Sequence, residues 1–348
     1  MKKIFAHVLL FVLLVYSVNP AQTKSSDTLF IASWNLENLF DTMDDPGKND
    51  EEFLPGSKKD WTAERLDKKL SNLAKVIRSM NNNRGPDILG VCEVEHESLL
   101  KEMISKYLSN KDYKTAYRES PDFRGIDNGL IFNSDKFKLV SINADTVHLS
   151  DGHETRLIFN ANLLVLNTTD TLHVFVNHWP SRIGGMDKTE PNRVAAASTL
   201  KNRIDYYFKR NNNSMVIALG DFNDEPSNES ISKTLKALPL NCDSVSLQTS
   251  RNNDILFNIA YKVYKEGEGS YKYRDNWDML DQMIISDNLV NGKIKYVCGS
   301  FTVFKPYFLI THSGKYEGTP FPTYGGNRYL GGYSDHFPVT SKFVIKTN

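Results

Sequence analysis

The sequence predicts an α/β layered domain in which short buried strands alternate with amphipathic helices. Three observations carry that expectation. Short apolar runs bounded by turn-forming residues recur from Thr28 towards the C-terminus. Between two of them, Leu66, Leu70, Leu73, Val76, Ile77 and Met80 recur at helical spacing. The chain has 348 residues, 40% broadly apolar and 24% charged, enough for one large core with an ordinary soluble surface.

Taken in order, residues 1–25 read as a signal peptide and short leader. Lys2 and Lys3 form a positive n-region, and Ile4 to Val18 is almost wholly apolar. That run is shorter than the ~20 residues a membrane span needs, and Ser17 and Ala21 are candidate cleavage positions. A retained N-terminal anchor is the alternative. The expectation is an exported protein, periplasmic or secreted, with no stable membrane span after signal removal. Leu29–Asn35 reads as a strand. Residues 41–60, with Pro46, Gly47, Pro55 and Gly56, read as a long acidic loop before the Leu66–Met80 helix. Gly85-Pro86 bounds a strand at Asp87–Val94. Strands follow at 127–133, 137–148, 156–166 and 171–178. A helix is expected from Asn192 to Lys209, with Pro191 near its first turn. The last strands are Met215–Leu219, Met279–Ser286 and Phe337–Val344. No repeat or linker divides the span, so one domain is expected over 28–346, with a monomer as the default.

Lys plus Arg equals Asp plus Glu at 42 each. That balance argues against tight, sequence-independent clamping of nucleic acid but not against an enzyme that touches a few phosphates. The cysteines, Cys92, Cys242 and Cys298, fit no zinc motif. Cys92 sits in an apolar run and reads as a buried small hydrophobe, and an exported chain could join one pair.

Polar residues keep appearing at the ends of apolar strands. Asn35 and Glu37 close the first, Glu93 the second, His178 another, and Asp221 and Asn223 follow Val216–Leu219. Asp281 lies inside an apolar strand, and Asp335-His336 opens the last one. A charge beside a buried strand is costly unless paired or metal-bound, so six such cases imply one shared site. Oxygen donors without thiolates point to Mg²⁺ or Mn²⁺, or Ca²⁺, rather than zinc. The two histidines, His178 and His336, suit phosphate contact or proton transfer, and the set suits metal-assisted attack of water on a phosphoester.

These motifs resemble the endonuclease/exonuclease/phosphatase superfamily. They are Ser-Trp-Asn-Leu-Glu (33–37), Cys-Glu-Val-Glu (92–95), Asn-His-Trp-Pro-Ser-Arg (177–182), Gly-Asp-Phe-Asn-Asp (220–224), Leu-Asp-Gln (280–282) and Ser-Asp-His (334–336). The resemblance spans roughly residues 28–345. It implies a four-layered α/β sandwich, two packed mostly antiparallel sheets with helices on the outer faces. It implies that Glu93 is the principal metal ligand, with Asn35, Glu37 and Asp335 in the metal site. It implies that Asp221 and Asn223 orient water and phosphate, that Asp281 and His336 form a pair, and that His178 contacts phosphate. It leaves open whether Asp281–His336 or Asp221 is the base.

Each residue also has a structural reading. Asp221 and Asn223 suit a turn, Asn35 and Glu37 could lead into the acidic loop, and His178 could be a strand-end histidine. Asp281, flanked by Met279, Leu280, Met283 and Ile284, resists such a reading best. His96, His148, His153, His173 and His312 are taken as structural. Tyr117, Arg124, Asn128 and Arg182 are candidate substrate contacts, and Arg193 is either another or an ion-pair partner. The expected substrate is nucleic acid, from the signal, Asn-His-Trp-Pro-Ser-Arg and the Trp277–Gln282 run, which resemble extracellular bacterial nucleases. The alternatives are a phosphatase or phospholipase-type enzyme, with Phe301–Ile310 as a candidate membrane hairpin, and, last, a non-catalytic phosphate-binding module.

Overall fold

Strand β1 (Asp27–Leu39) is the spine of the first sheet. Leu29 to Trp34 are almost fully buried on both faces, as a strand sandwiched between two layers must be. In this computed structural model, residues 27–242 and 254–346 are described, so the expected signal peptide lies outside the described residues. The chain continues through helix α1 (Ala63–Asn83), β2 (Ile88–Val94), α2 (Glu97–Tyr107), β3 (Tyr113–Tyr117) and β4 (Asp127–Asn133). It then builds β5 (Phe137–Asp145), β6 (Ile158–Val165), β7 (Thr171–His178), α3 (Met186–Arg210) and β8 (Met215–Asp221). The remaining strands are β9 (Ala237–Pro239), β10 (Leu256–Asn258), the hairpin β11 (Tyr271–Tyr273) and β12 (Asn276–Asp278), and β13 (Asp281–Ser286). They are followed by β14 (Ile294–Tyr296), β15 (Thr302–Val303), the hairpin β16 (Tyr324–Gly325) and β17 (Arg328–Tyr329), and β18 (Val339–Ile345).

Two sheets of seven strands each result. The first runs β14-β18-β1-β2-β4-β3, with β15 also on β18, and the second runs β5-β6-β7-β8-β13-β10-β9. Most neighbours are antiparallel, but β1–β2, β7–β8 and β9–β10 are parallel, so both sheets are mixed. The sheets face one another through β1, β2 and β4 against β7, β8 and β13. Helices α1 and α2 cover the first sheet and α3 the second, giving the four layers expected.

The facing is close. A Cβ at Gly90 would stand 2.1 Å from Leu219 Cδ1 across the interface, so only glycine lets β2 and β8 approach this far. Helix α3 departs from expectation. It begins at Met186, which puts Pro191 inside it rather than near an Asn192 start. Pro191 is solvent-exposed, so the bond its ring removes is lost where water can replace it. The sequence reading also missed α2. Cys242 and Cys298 form a disulfide with Cα atoms 5.8 Å apart, while Cys92 is free and buried. Among the described residues no helix is long and apolar enough to cross a membrane.

Candidate active site

Sheet register builds half of the site. Asp221 at the end of β8 pairs with His178 on β7 and with Asp281 on β13. Residues in one row across three strands leave the sheet on the same face, so three residues from distant segments project together. The first sheet supplies the rest. Asn35 lies opposite Cys92 where β1 and β2 pair, and the register then slips, with Glu93 at φ +62°. Glu37 (φ +54°) and Asn223 (φ +50°) also occupy the left-handed region. Such strained backbone at three strand ends re-aims side chains that a regular strand would send elsewhere.

The Asp281–His336 pair forms as the resemblance implied. His336 Nδ1 lies 2.7 Å from Asp281 Oδ2, which also accepts from the buried Ser270 hydroxyl at 2.6 Å. Trp34 Nε1 donates to the His336 carbonyl at 2.9 Å, and the Tyr271 ring stacks on the imidazole at 4.7 Å. Burial alone would lower the His336 pKa, but the anionic Asp281, with Asp335 and Asp221 nearby, holds it well above the ordinary value. His336 Nε2 is 3.9 Å from Asp221 Oδ2. The Asp221 carboxyl is pushed up to about 6 by burial, against the opposing pull of His336.

Asn35 ties these groups together. Its amide nitrogen lies 3.2 Å from both Glu93 Oε1 and Asp221 Oδ2. Glu93 Oε2 accepts from Asn38 N at 2.8 Å. His178 Nε2 stands 3.7 Å from Glu93 and 3.8 Å from Asp221. Burial, then the cations Arg156 and Arg124, hold His178 well below its ordinary pKa, so it is neutral. Among the described residues its buried Nδ1 has no partner, which favours the tautomer with the proton on Nε2. Asn223 Nδ2 donates to the Trp179 carbonyl, leaving its Oδ1 available.

Glu93, Arg124, His178, Asp221, Asn223, Asp335 and His336 all line one cleft of about 750 Å³. Arg182 lines it too, held by Asp224 at 3.5 Å and Asp278 at 3.8 Å. The remaining expected residues sit elsewhere. Tyr117 turns its hydroxyl to Asp127 and Glu95. Asn128 is buried with its amide on the Leu157 and Val176 carbonyls, and its Oδ1 has no partner among the described residues. Glu37, expected among the metal ligands, gives its carboxylate to Thr323 N (2.6 Å) and Tyr324 N (3.2 Å), with Lys69 Nζ at 3.7 Å. Arg193 is fully buried on Asp224 at 2.7 Å, which is the ion-pair reading of it.

Sequence reasoning missed several residues that hold this site. Arg156 is buried, pairs with Asp122 at 2.8 Å, and donates to the His178 and Trp179 carbonyls. Ser270 and Tyr271 brace the dyad from the β11–β12 hairpin. None has a local signal, although Ser270-Tyr271 precedes Asp281 closely enough for a hairpin to be suspected.

The donor set fits a divalent cation. Glu93 and Asp335 are oxygen donors on the cleft, and the Asp335 carboxyl is pushed up to about 7 by burial and by Glu37 and Glu93, against His336. Like charges brought together this way are relieved by a hard cation. A separate group, Asp41, Glu95 and His96, has ligand atoms within 4.8 Å of one another. Thus His96, read from sequence as merely structural, lies in an acidic cluster. Another cavity, of about 800 Å³ beside Cys242 and Cys298, contains none of the expected site residues.

The sequence profile described as "Endonuclease/Exonuclease/phosphatase family" matches residues 30–345. No curated protein matches by sequence. Among solved structures, an endonuclease/exonuclease/phosphatase family protein from Bacteroides thetaiotaomicron is 18% identical with TM-score 0.57, over 93% of this chain and 100% of that one. A mannosyl-6-phosphatase from the same organism is also 18% identical, TM-score 0.55, over 91% and 100%. TDP2 of D. rerio, complexed with single-strand DNA product, is 12% identical, TM-score 0.54, over 91% and 98%. At these identities the likeness is one of fold.

Proposed function

The chain belongs to the endonuclease/exonuclease/phosphatase family, and on that premise we propose that it is an exported, divalent-metal-dependent phosphodiesterase whose substrate is nucleic acid. The observation that carries the hydrolytic reading is the convergence of Asp281–His336, Asp221, Asn223, His178 and Glu93 on one cleft. A divalent ion held by Glu93 with Asn35 and Asp335 would neutralise phosphoryl oxygens that these carboxylates otherwise repel. As the water oxygen bonds to phosphorus the ester P–O bond opposite it breaks; Asp221 Oδ2, facing both imidazoles, takes the proton of that water, which Asn223 Oδ1 orients, and the leaving oxygen takes a proton from solvent. His336, its Nδ1 proton anchored on Asp281, presents Nε2–H to the charge that builds on phosphorus-bound oxygen. Neutral His178 donates from Nε2 to a second oxygen. Arg124, on the cleft wall, offers a bidentate phosphate contact.

Nucleic acid is supported by the rim. Ile183, Met186 and Tyr273 are exposed there beside Tyr271, an apolar and aromatic edge on which a base can stack. A second reading, a small phosphoester, is favoured by one observation: both arginines on the cleft already face carboxylates, Arg182 those of Asp224 and Asp278 and Arg124 that of Asp122 at 3.5 Å. The lipid reading has less behind it. Within Phe301–Ile310 Tyr307 is the one strongly exposed large apolar side chain, and Phe301 and Leu309 are buried. Export is supported by the apolar N-terminus and by the Cys242–Cys298 disulfide, which suits an oxidising compartment. The test is hydrolysis of plasmid DNA, RNA, sphingomyelin and p-nitrophenyl phosphate esters, with and without EDTA. Metal-dependent DNA or RNA cleavage is expected. Turnover of small esters alone would favour the second reading, and no EDTA-sensitive turnover of any of them would overturn both.

A further inference from the structure

Glu37 lies at the strand end where the resemblance places a metal contact, yet its carboxylate is fully engaged elsewhere. Oε2 accepts from Thr323 N at 2.6 Å and Oε1 from Tyr324 N at 3.2 Å. Lys69 Nζ stands 3.7 Å from Oε2, and its side chain is 1% exposed. Lys69 also donates to Thr323 Oγ1 at 2.5 Å and to the Tyr333 carbonyl at 2.6 Å. One turn along α1, Asn72 donates to the Gly331 and Gly332 carbonyls at 2.9 and 2.7 Å.

These bonds converge on the Thr323–Tyr333 segment, which leads directly into Ser334-Asp335-His336. From the other side, Ser334 Oγ donates to the Asn35 carbonyl at 2.6 Å. Turning Glu37 towards a metal ion would leave a buried ammonium without its nearest counter-charge and two buried main-chain N–H groups without their acceptor. An unpaired buried charge is among the costlier defects a protein can hold. We propose that Glu37 is a positioning residue rather than a metal ligand: with Lys69 and Asn72 it clamps the Thr323–Tyr333 segment, and through it sets the placement of Asp335 and His336. The metal is then left to Glu93, with Asn35 and Asp335.

The test separates binding from turnover. Mn²⁺ affinity is read by calorimetry on the metal-free protein, and kcat and KM are read well below the melting temperature. Glu37→Gln keeps one acceptor oxygen but sets an NH₂ against a main-chain N–H and the Lys69 ammonium. Its Mn²⁺ Kd should stay within about threefold of wild type while Glu93→Gln weakens it more than about tenfold, and its kcat should fall by roughly 10- to 100-fold at near-constant KM. Lys69→Met should match it, and the double variant should be little worse than either, because the two act as one clamp. Asn72→Ala, which removes the bonds to Gly331 and Gly332 and leaves the Glu37 carboxylate in place, should lower kcat with Mn²⁺ affinity intact, and it tests the clamp even if the Glu37 variant fails to fold. Loss of Mn²⁺ affinity in Glu37→Gln comparable to Glu93→Gln overturns the proposal. So does wild-type kcat in folded Glu37→Gln or in Asn72→Ala, since a purely structural role would move only the melting temperature. The proposal relies on the metal-dependent reaction for its turnover arm only. If no substrate is hydrolysed, that reading fails, while the Mn²⁺ arm still decides the role of Glu37.

Discussion

Asp281→Asn is the sharpest probe of the chemistry, because the structure says what each atom of the new side chain would meet. In the native site Oδ2 takes two donors, His336 Nδ1 and Ser270 Oγ, and Oδ1 is buried with no partner among the described residues. If the amide oxygen replaces Oδ2, both bonds survive, but the NH₂ sits at the unpartnered position, at a stability cost of roughly 1–3 kcal/mol. If the amide flips, NH₂ faces Nδ1, which must then give up its proton, and the imidazolium is lost. Either way the anion that keeps His336 protonated is gone. Weakening one charge-assisted hydrogen bond of about 1.5–3 kcal/mol sets a floor of roughly tenfold on kcat, at about 1.4 kcal/mol per tenfold. Losing the whole proton-bearing group sets a ceiling of about 10⁴. We expect a fall of roughly 10- to 10⁴-fold in kcat on bis-p-nitrophenyl phosphate at saturating Mg²⁺, with KM little changed and melting lowered by only a few degrees. His336→Ala should be of similar order, and the double variant little worse than either. Activity within threefold of wild type, or losses that multiply in the double variant, would refute a dyad acting as a unit.

Three further outcomes follow from the same geometry. In metal-free protein, Asp221 and Asp335 titrate near 6 and 7 rather than at 3.8, so the folded state binds these protons more tightly than the unfolded one. Their stabilising contribution is present below about pH 4 and is lost as pH rises through 6–7, and the raised His336 acts in the same sense. Because the ion needs ionised carboxylates, Mg²⁺ should raise the melting temperature more at pH 8 than at pH 5.5, and calorimetry showing the reverse order would contradict the site. The disulfide spans a sequence separation of 56 residues, for which chain entropy predicts about 4 kcal/mol. The Cys242→Ser/Cys298→Ser variant should therefore lose about 2–4 kcal/mol in urea unfolding, and an unchanged midpoint would count against the bond. Arg156→Met takes from the buried Asp122 carboxylate its closest cation, leaving Arg124 at 3.5 Å, and frees two site carbonyls. It should cost roughly 3–5 kcal/mol and lower kcat as well, so denaturation at the wild-type midpoint would contradict that accounting.

Much of this was legible in the sequence, for a physical reason. A residue such as Asp281 between Leu280 and Gln282-Met283-Ile284 is too expensive to bury without purpose, so the chemistry announces itself against an apolar background. Strands were legible because burial on both faces makes them continuous apolar runs. The supporting groups were not. Lys69 lies on a helix whose other buried residues, Asn72 apart, are apolar, and nothing nearby shows that it reaches Glu37 across the chain. Arg156 and Asp122 are equally far apart in sequence. Glu37 illustrates the limit: local pattern places an acid at a strand end but does not show which way its carboxylate turns.

The dyad straddles the two sheets, with Asp281 on the second and His336 entering the first. That sets the timing of activity during biosynthesis. Every described strand but β18 precedes His336 in the chain, and the imidazole meets its carboxylate only when β18 docks beside β1. Until that final closure no shorter nascent segment carries both members of the pair. Hydrolytic competence is thereby tied to completion of the fold itself.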